Sequence, residues 1–200
     1  RLAGIYGQEG QERLQLNTLQ AAYAADFFET ETDFTNLAGL LMQREAPFKA
    51  AKILRDGLDR EIVKRSARNL QSYGQAWQLA QEVDEAIPVF EEAAELSDDG
   101  KIYERLAYLY MEDDQYKQCV TSATGALDKG GLRKIQTMHI VKGMCEFNQN
   151  KLKTARKSFV SCRSESRKDK DNNNVRICAQ WITFIDREAT RQAQLAAAGG

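Results

Sequence analysis

Four cysteines have the clearest potential for covalent chemistry in this sequence: Cys119, Cys145, Cys162 and Cys178. None of them lies in a C-x-x-C motif, so the spacing predicts neither a zinc site nor a thioredoxin-like redox centre. The remaining covalent chemistry is disulfide formation, for which four cysteines allow three connectivities. Buried free thiols are the alternative, because cysteine also fits small apolar positions.

Other residues that could act in catalysis lack partners in the sequence. His139 is the single histidine, and it falls in a position where a large packing side chain is expected. The acidic pairs Glu91 with Glu92 and Asp98 with Asp99 are explained by solvation on a helix exterior and in the following turn. No glycine-rich phosphate loop and no H-E-x-x-H motif occurs. We therefore expect no enzyme activity, no cofactor and no metal site.

Composition excludes several further classes of protein. The chain has 200 residues, of which 42% are hydrophobic, and its 28 Lys and Arg balance 29 Asp and Glu. This balance gives no basic surface for nucleic acid. No apolar run approaches the roughly 18 residues of a membrane span. Only two prolines occur, and strong helix formers dominate, which predicts an all-helical protein.

An internal repeat specifies the arrangement of these helices. Tyr103, Leu106, Ala107 and Tyr110 follow the W-x2-L-G-x2-Y spacing of the first helix in a tetratricopeptide repeat. The same register occurs five times in all, at intervals of about 33 to 36 residues. The small residue of each copy is Ala3, Ala38, Gly74, Ala107 or Gly143.

The predicted fold is an all-α tetratricopeptide-repeat solenoid, a right-handed superhelix with a C-terminal capping helix. Small residues let the two helices of a repeat approach closely, and stacking buries the apolar face that a single repeat leaves exposed. The expected repeats are 1–30, 31–66, 67–99, 100–135 and 136–171, with the capping helix at 172–197. The first copy lacks most of its leading helix, so we expect the natural chain to begin upstream. The polar segment 163–174 is expected to be an exposed loop.

A binding groove is predicted along the first helices of successive repeats. In this architecture, the residues one, four and five places after the small residue point into the concave wall. They are Gly39, Met42, Gln43, Gln75, Gln78, Leu79, Tyr108, Met111, Glu112, Met144, Phe147 and Asn148. The set is apolar with amide edges and contains no Lys or Arg, which favours an extended or helical segment held by Met and aromatic anchors. Alternatively, preceding repeats or the final helix cover these residues.

The repeat register also predicts where each cysteine lies along its helix. Cys119 lies near the start of the second helix of repeat four, and Cys145 lies just past the small residue of the next helix, so the two are expected at one height. Cys162 and Cys178 have the same relation between the last repeat and the capping helix. Only the pairing 119–145 with 162–178 joins sequential helices at matching heights.

Beyond the repeat, three stretches resemble the C-terminal half of tetratricopeptide proteins encoded beside TonB–ExbB–ExbD energy-transduction genes in marine gammaproteobacteria. Those stretches contain APFKAA, AAELSDDG and QWITFID. The resemblance covers essentially all of the chain and implies a periplasmic, non-enzymatic adaptor that binds a protein partner, in an envelope oxidising enough for both disulfides. The cysteines depart from the family, whose members have alanine-like residues there. A structural repeat protein that stabilises an oligomer without a peptide ligand is the alternative function.

Overall fold

The computed structural model describes residues 2–198, and Arg1, Gly199 and Gly200 lie outside that range. Within it the chain forms eleven helices and no strand, which confirms the all-α repeat solenoid. The helices are α1 (Leu2–Gln8), α2 (Glu12–Ala24), α3 (Glu31–Gln43), α4 (Pro47–Asp59), α5 (Ala67–Leu79), α6 (Val83–Leu96), α7 (Lys101–Glu112), α8 (Tyr116–Lys129), α9 (Ile135–Asn148), α10 (Leu152–Lys168) and α11 (Asn172–Ala198).

The helices form two units along the chain. The N-terminal unit runs to Ser97 and contains α1 to α6, and the C-terminal unit begins at Asp98 and contains α7 to α11. Within each unit, every helix packs against the next one in sequence. Because the connections are only a few residues long, successive helices run antiparallel. Each unit is therefore a short stack of helical hairpins.

Small residues bring the two helices of a hairpin together, as the repeat pattern predicts. A Cβ atom added at Gly74 of α5 would lie 2.9 Å from the Phe90 ring of α6. At Gly143 of α9, it would lie 2.8 Å from the Phe159 ring of α10. Both phenylalanines are fully buried. Glycine at these two positions allows an approach that any other side chain would obstruct.

Local sequence determines several helix starts. Thr30 caps α3 with a capping box, in which its side chain accepts from the Asp33 backbone N–H while the Asp33 carboxylate accepts from the Thr30 backbone N–H. Pro47 is the first residue of α4, a position where the missing N–H has no intrahelical partner in any case. These two signals fix where α3 and α4 begin.

The prediction of an exposed loop at 163–174 is wrong. Helix α10 continues to Lys168 and α11 begins at Asn172, so the connection is only residues 169–171. Ser166 lies on the inward side of this extended helix, where it is fully buried and its hydroxyl donates to the Cys162 carbonyl at 2.8 Å. The charged residues around Ser166 are compatible with the exposed face of a helix. Among residues 2–198, no helix combines the length and apolar character needed to cross a bilayer.

Candidate functional site

The N-terminal unit has a cavity of about 450 Å³ between the first helices α3 and α5, here called the N-terminal groove. It contains three residues of the predicted concave wall: Gly39, Met42 and Gln75. The remaining lining is Glu31, Thr35, Asn36, Ala38, Leu54, Arg68, Asn69 and Ser72. The predicted Gln43, Gln78 and Leu79 are not part of this lining. Leu79 is 54% exposed.

Gly39 is an exposed lining residue of the N-terminal groove. A Cβ atom added there would meet nothing within 4 Å. This is the opposite of Gly74 on α5, where an added Cβ would press against a buried ring. The two glycines therefore serve different purposes, since Gly74 allows helices to pack closely and Gly39 borders empty space.

The groove also contains a cation, although the twelve predicted wall residues include no Lys or Arg. Arg68, in the first turn of α5, lines the cavity and is exposed. Glu31 lies on the opposite helix and accepts the Lys64 backbone N–H at 2.9 Å. That hydrogen bond is the main reason why the pKa of Glu31 is lowered, with smaller contributions from Asn69, Lys64 and Arg68. Arg68 acts on Glu31 only through its charge.

Some hydrogen-bonding groups of the groove already have a partner within their own helix. The Thr35 hydroxyl donates to the Glu31 carbonyl at 3.0 Å, and the Ser72 hydroxyl donates to the Arg68 carbonyl at 3.1 Å. These hydroxyls can still accept a hydrogen bond. Gln75 lines the cavity with an amide that offers both donors and an acceptor. The groove thus combines amide, hydroxyl, guanidinium and carboxylate groups with apolar side chains such as Met42 and Leu54.

In the C-terminal unit, the predicted wall residues lie on α7 and α9. Tyr108 and Met111 are partly exposed on α7. Burial raises the pKa of Tyr108, and the nearby charge of Glu104 adds to this effect. Glu112 and Asn148 are exposed at the ends of their helices. Tyr108 and Met111 remain available as apolar contacts.

The last helix covers part of this wall. Phe147 contacts Trp181 and Phe184 of α11, with ring centroids 5.6 and 5.5 Å apart. Met144 and Phe147 also pack against a buried cluster that includes Phe159. This arrangement is the alternative left open by the sequence, in which the final helix occupies the wall. It applies to Met144 and Phe147.

Sequence reasoning missed an aromatic face on α11. Ile177, Gln180, Trp181 and Phe184 line a shallow depression of about 320 Å³, and Phe184 is 50% exposed. Only one apolar stripe of the capping helix was anticipated, the one that packs on α10. The missed signal is the spacing of Ile177, Trp181 and Phe184, which places them on a second face of the same helix.

His139 lies on α9, next to the buried Met138. It is partly buried, while the neighbouring Met138 is fully buried, so Met138 fills more of the core than the predicted histidine does. Burial lowers the pKa of His139, the charge of Lys142 lowers it further and Glu165 opposes both. Within residues 2–198, no group of His, Cys, Asp and Glu is arranged to hold a metal ion.

The cysteines form two disulfides, Cys119–Cys145 and Cys162–Cys178. The first joins α8 to α9, and the second joins α10 to α11. This is the pairing expected from the heights of the cysteines on sequential helices. All four cysteines are fully buried.

No protein-family model and no curated protein sequence matches the chain. Solved structures do. A crystal structure of MamA protein superposes with a TM-score of 0.68 at 15% identity, over 84% of this chain and 90% of that chain. A MamA fragment from Desulfovibrio magneticus RS-1 gives 0.57 at 13% identity, over 81% and 96%.

A second kind of neighbour is the N-terminal domain of stress-induced protein-1 (STI-1) from C. elegans. It superposes with a TM-score of 0.51 at 23% identity, over 57% of this chain and 93% of that chain. At these identities the similarity concerns the fold. The chain has a helical-repeat fold of the tetratricopeptide type.

Proposed function

We propose that the chain is a non-enzymatic scaffold whose N-terminal groove binds an extended segment of a protein partner. The cavity of about 450 Å³ between α3 and α5 is the observation that carries this proposal. A groove between first helices can accept a peptide along its length, because successive repeats offer side chains at regular intervals. Binding depends on the groups at the groove surface.

Those groups suit a polypeptide with an acidic side chain. The Gln75 amide and the hydroxyls of Thr35 and Ser72 can pair with backbone N–H and C=O groups. Arg68 supplies a positive charge that pairs with a carboxylate. The Glu31 carboxylate is already engaged with the Lys64 backbone, so it competes less for Arg68. Met42 provides an adaptable apolar contact.

The biological setting that we propose is the periplasm, where the scaffold holds a component of a TonB-type energy-transduction system. The resemblance of the APFKAA, AAELSDDG and QWITFID stretches to TonB-associated tetratricopeptide proteins supports this setting. The two disulfides are compatible with it, since such bonds persist in oxidising compartments.

Both the binding groove and the role in a TonB-type system are tested by affinity purification. The purification uses envelope extracts of a bacterium that encodes a TonB–ExbB–ExbD system. Wild type and an Arg68→Glu variant are compared with Arg133→Glu, which makes the same charge change at an exposed residue of the other unit. We expect wild type and Arg133→Glu to recover an identified TonB-system component, and Arg68→Glu to recover about tenfold less. Equal recovery by all three contradicts the groove, and no such component with wild type contradicts the adaptor role.

The exposed aromatic face on α11 favours a second candidate function, the stabilisation of an oligomer. Phe184 is 50% exposed beside Trp181 and Phe147, and large exposed apolar faces commonly mark protein interfaces. Sedimentation velocity over a range of concentrations tests this function. If the chain self-associates through this face, Phe184→Glu yields a monomer, whereas a monomeric wild type rules it out.

A further inference from the structure

The hairpin α9–α10 has an unusually polar interior. Glu146 of α9 and Ser158 of α10 are each only 6% exposed, and the Ser158 hydroxyl donates to the Glu146 carboxylate at 2.6 Å. Ser166 of α10 is fully buried, and Gln136 of α9 is buried with its Oε1 unpaired among the described residues. A buried polar group weakens a core unless its hydrogen bonds are complete.

Compared with the other hairpins, α9–α10 has polar side chains at two positions of the repeat that are otherwise apolar. One position precedes the small residue, and the other follows it by three residues. In α3, α5 and α7 these positions hold buried apolar side chains, namely Leu37 and Leu41, Tyr73 and Trp77, and Leu106 and Tyr110. In α9 they hold Lys142 and Glu146. The fifth hairpin therefore lacks two of the large apolar contacts that hold the others together.

The remaining contacts only partly compensate for this loss. A carboxylate offers about four acceptor sites, and within residues 2–198 the side-chain donor to Glu146 across the hairpin is Ser158. Removing a charge from water is expensive, and one hydrogen bond offsets a fraction of that penalty. We expect the non-covalent contacts within α9–α10 to be weaker than those within the hairpins of the N-terminal unit.

Both helices of this hairpin are tied covalently to their neighbours. Cys145 joins α9 to α8, and Cys162 joins α10 to α11. All four cysteines of the chain are used in these two bonds. The bonds close segments with sequence separations of 26 and 16 residues. Each closure of this length raises the ratio of folded to unfolded chain by roughly a hundredfold in the loop-entropy model.

We propose that the two disulfides compensate for the polar interior of α9–α10, so that this hairpin is stably folded only when they are oxidised. Each bond forms by thiol–disulfide exchange with an external disulfide, such as that of an oxidoreductase. One cysteine thiolate attacks the external disulfide, which forms a mixed disulfide and releases one external thiol. The second cysteine thiolate then attacks the protein sulfur of the mixed disulfide, forms the protein disulfide and releases the other external thiol. The protein thus loses two electrons and two protons per bond, and the external disulfide is reduced to two thiols.

The oxidation state of the two disulfides therefore determines whether the C-terminal unit presents an ordered apolar surface. Met144 and Phe147 belong to α9, and Trp181 and Phe184 belong to the helix that Cys162–Cys178 ties to α10. Reduction is expected to disorder these four side chains together while the N-terminal groove stays intact, because the cysteines all lie in the C-terminal unit. Any use of that surface in partner binding rests on the proposed function, whereas the folding switch does not.

Hydrogen exchange of the full chain, read by mass spectrometry, tests the proposal. Because the disulfides are buried, the reduced protein is prepared by denaturation with a reductant and refolding under the same reductant. We expect amides of α9 and α10 to exchange at least about a hundredfold faster in the reduced protein than in the oxidised one. Amides of α3 to α6 are expected to be unchanged. Equal protection of α9–α10 in both states, or equal loss in both units, overturns the proposal.

A repacked variant tests the stated cause. Lys142→Leu, Glu146→Leu and Ser158→Ala together replace the polar groups with apolar ones, a change that is often neutral or stabilising when both partners are removed. The reduced triple variant is expected to regain most of the protection of α9–α10. Lys157→Leu, on the exposed face of α10, is the control and is expected to regain none. Failure of the triple variant to regain protection overturns the polar interior as the reason for the switch.

Discussion

The same substitution at two glycines of the N-terminal unit is expected to have opposite effects on stability. Gly74→Ala would place a methyl group 2.9 Å from two carbons of the Phe90 ring. Phe90 is fully buried, so its ring has little room to move away. Gly39→Ala would place the same methyl group where nothing lies within 4 Å. Both residues lie inside helices, so the intrinsic effect of the change is the same at both sites.

The expected magnitudes follow from two contributions. Alanine in place of glycine inside a helix stabilises by roughly 0.5–1 kcal/mol, because glycine loses more conformational freedom on folding. At Gly74, overpacking against Phe90 destabilises by about 1–3 kcal/mol. We therefore expect Gly74→Ala to lower the free energy of unfolding by about 1 kcal/mol. We expect Gly39→Ala to raise it by roughly 0.5–1 kcal/mol.

Urea unfolding followed by Trp77 fluorescence in a Trp181→Phe background measures both changes within the N-terminal unit. With a slope of about 2 kcal/mol/M, the two variants should differ in midpoint by about 1 M. A Gly74→Ala protein as stable as Gly39→Ala would refute the reasoning, because it would mean that the contact between α5 and α6 is not limited by the size of residue 74.

Three further outcomes are expected. Gly143→Ala, which brings a methyl group 2.8 Å from the Phe159 ring, should destabilise the C-terminal unit by about 1 kcal/mol in urea unfolding. Thr30→Ala, which removes the capping box of α3, should destabilise by about 1 kcal/mol, whereas Thr32→Ala at an exposed position should change stability by less than about 0.5 kcal/mol. Burial lowers the pKa of His139 below its value of about 6.5 in an unfolded chain, so unfolded chain binds more protons and stability should fall as pH decreases below about 6.5. His139→Gln should reduce that slope in urea titrations between about pH 5 and 7, and an unchanged slope would contradict this assignment.

The repeat register could be read directly from the sequence because it depends on periodic positions. Gly74 and Gly143 were expected at close helix contacts, and the structure places a buried phenylalanine against each. The cysteine pairing could also be predicted from the sequence, since the heights of Cys119 and Cys145 follow from counting residues along antiparallel helices. Such features are set by local spacing, which a repeating pattern makes visible.

The loop expected at 163–174 shows where polarity misleads. A run of charged residues resembles a solvated linker, but a helix needs only a few inward positions to be small or apolar. Ser166 fills one of them and satisfies its hydroxyl on the Cys162 carbonyl. Average composition therefore gave the wrong answer, whereas the position of one buried residue within the helical period would have given the right one.

The sequence by itself determined the helical repeat, its register and the sequential order of the cysteine-bearing helices, because these follow from spacing along one chain. Only the tertiary structure decided the surface of the proposed site. Arg68 lies outside the positions counted from the small residue, yet it lines the N-terminal groove. Phe147 lies at a predicted position, yet Trp181 and Phe184 pack against it. Exposure depends on what neighbouring helices place over a residue, and residues far apart in sequence determine that.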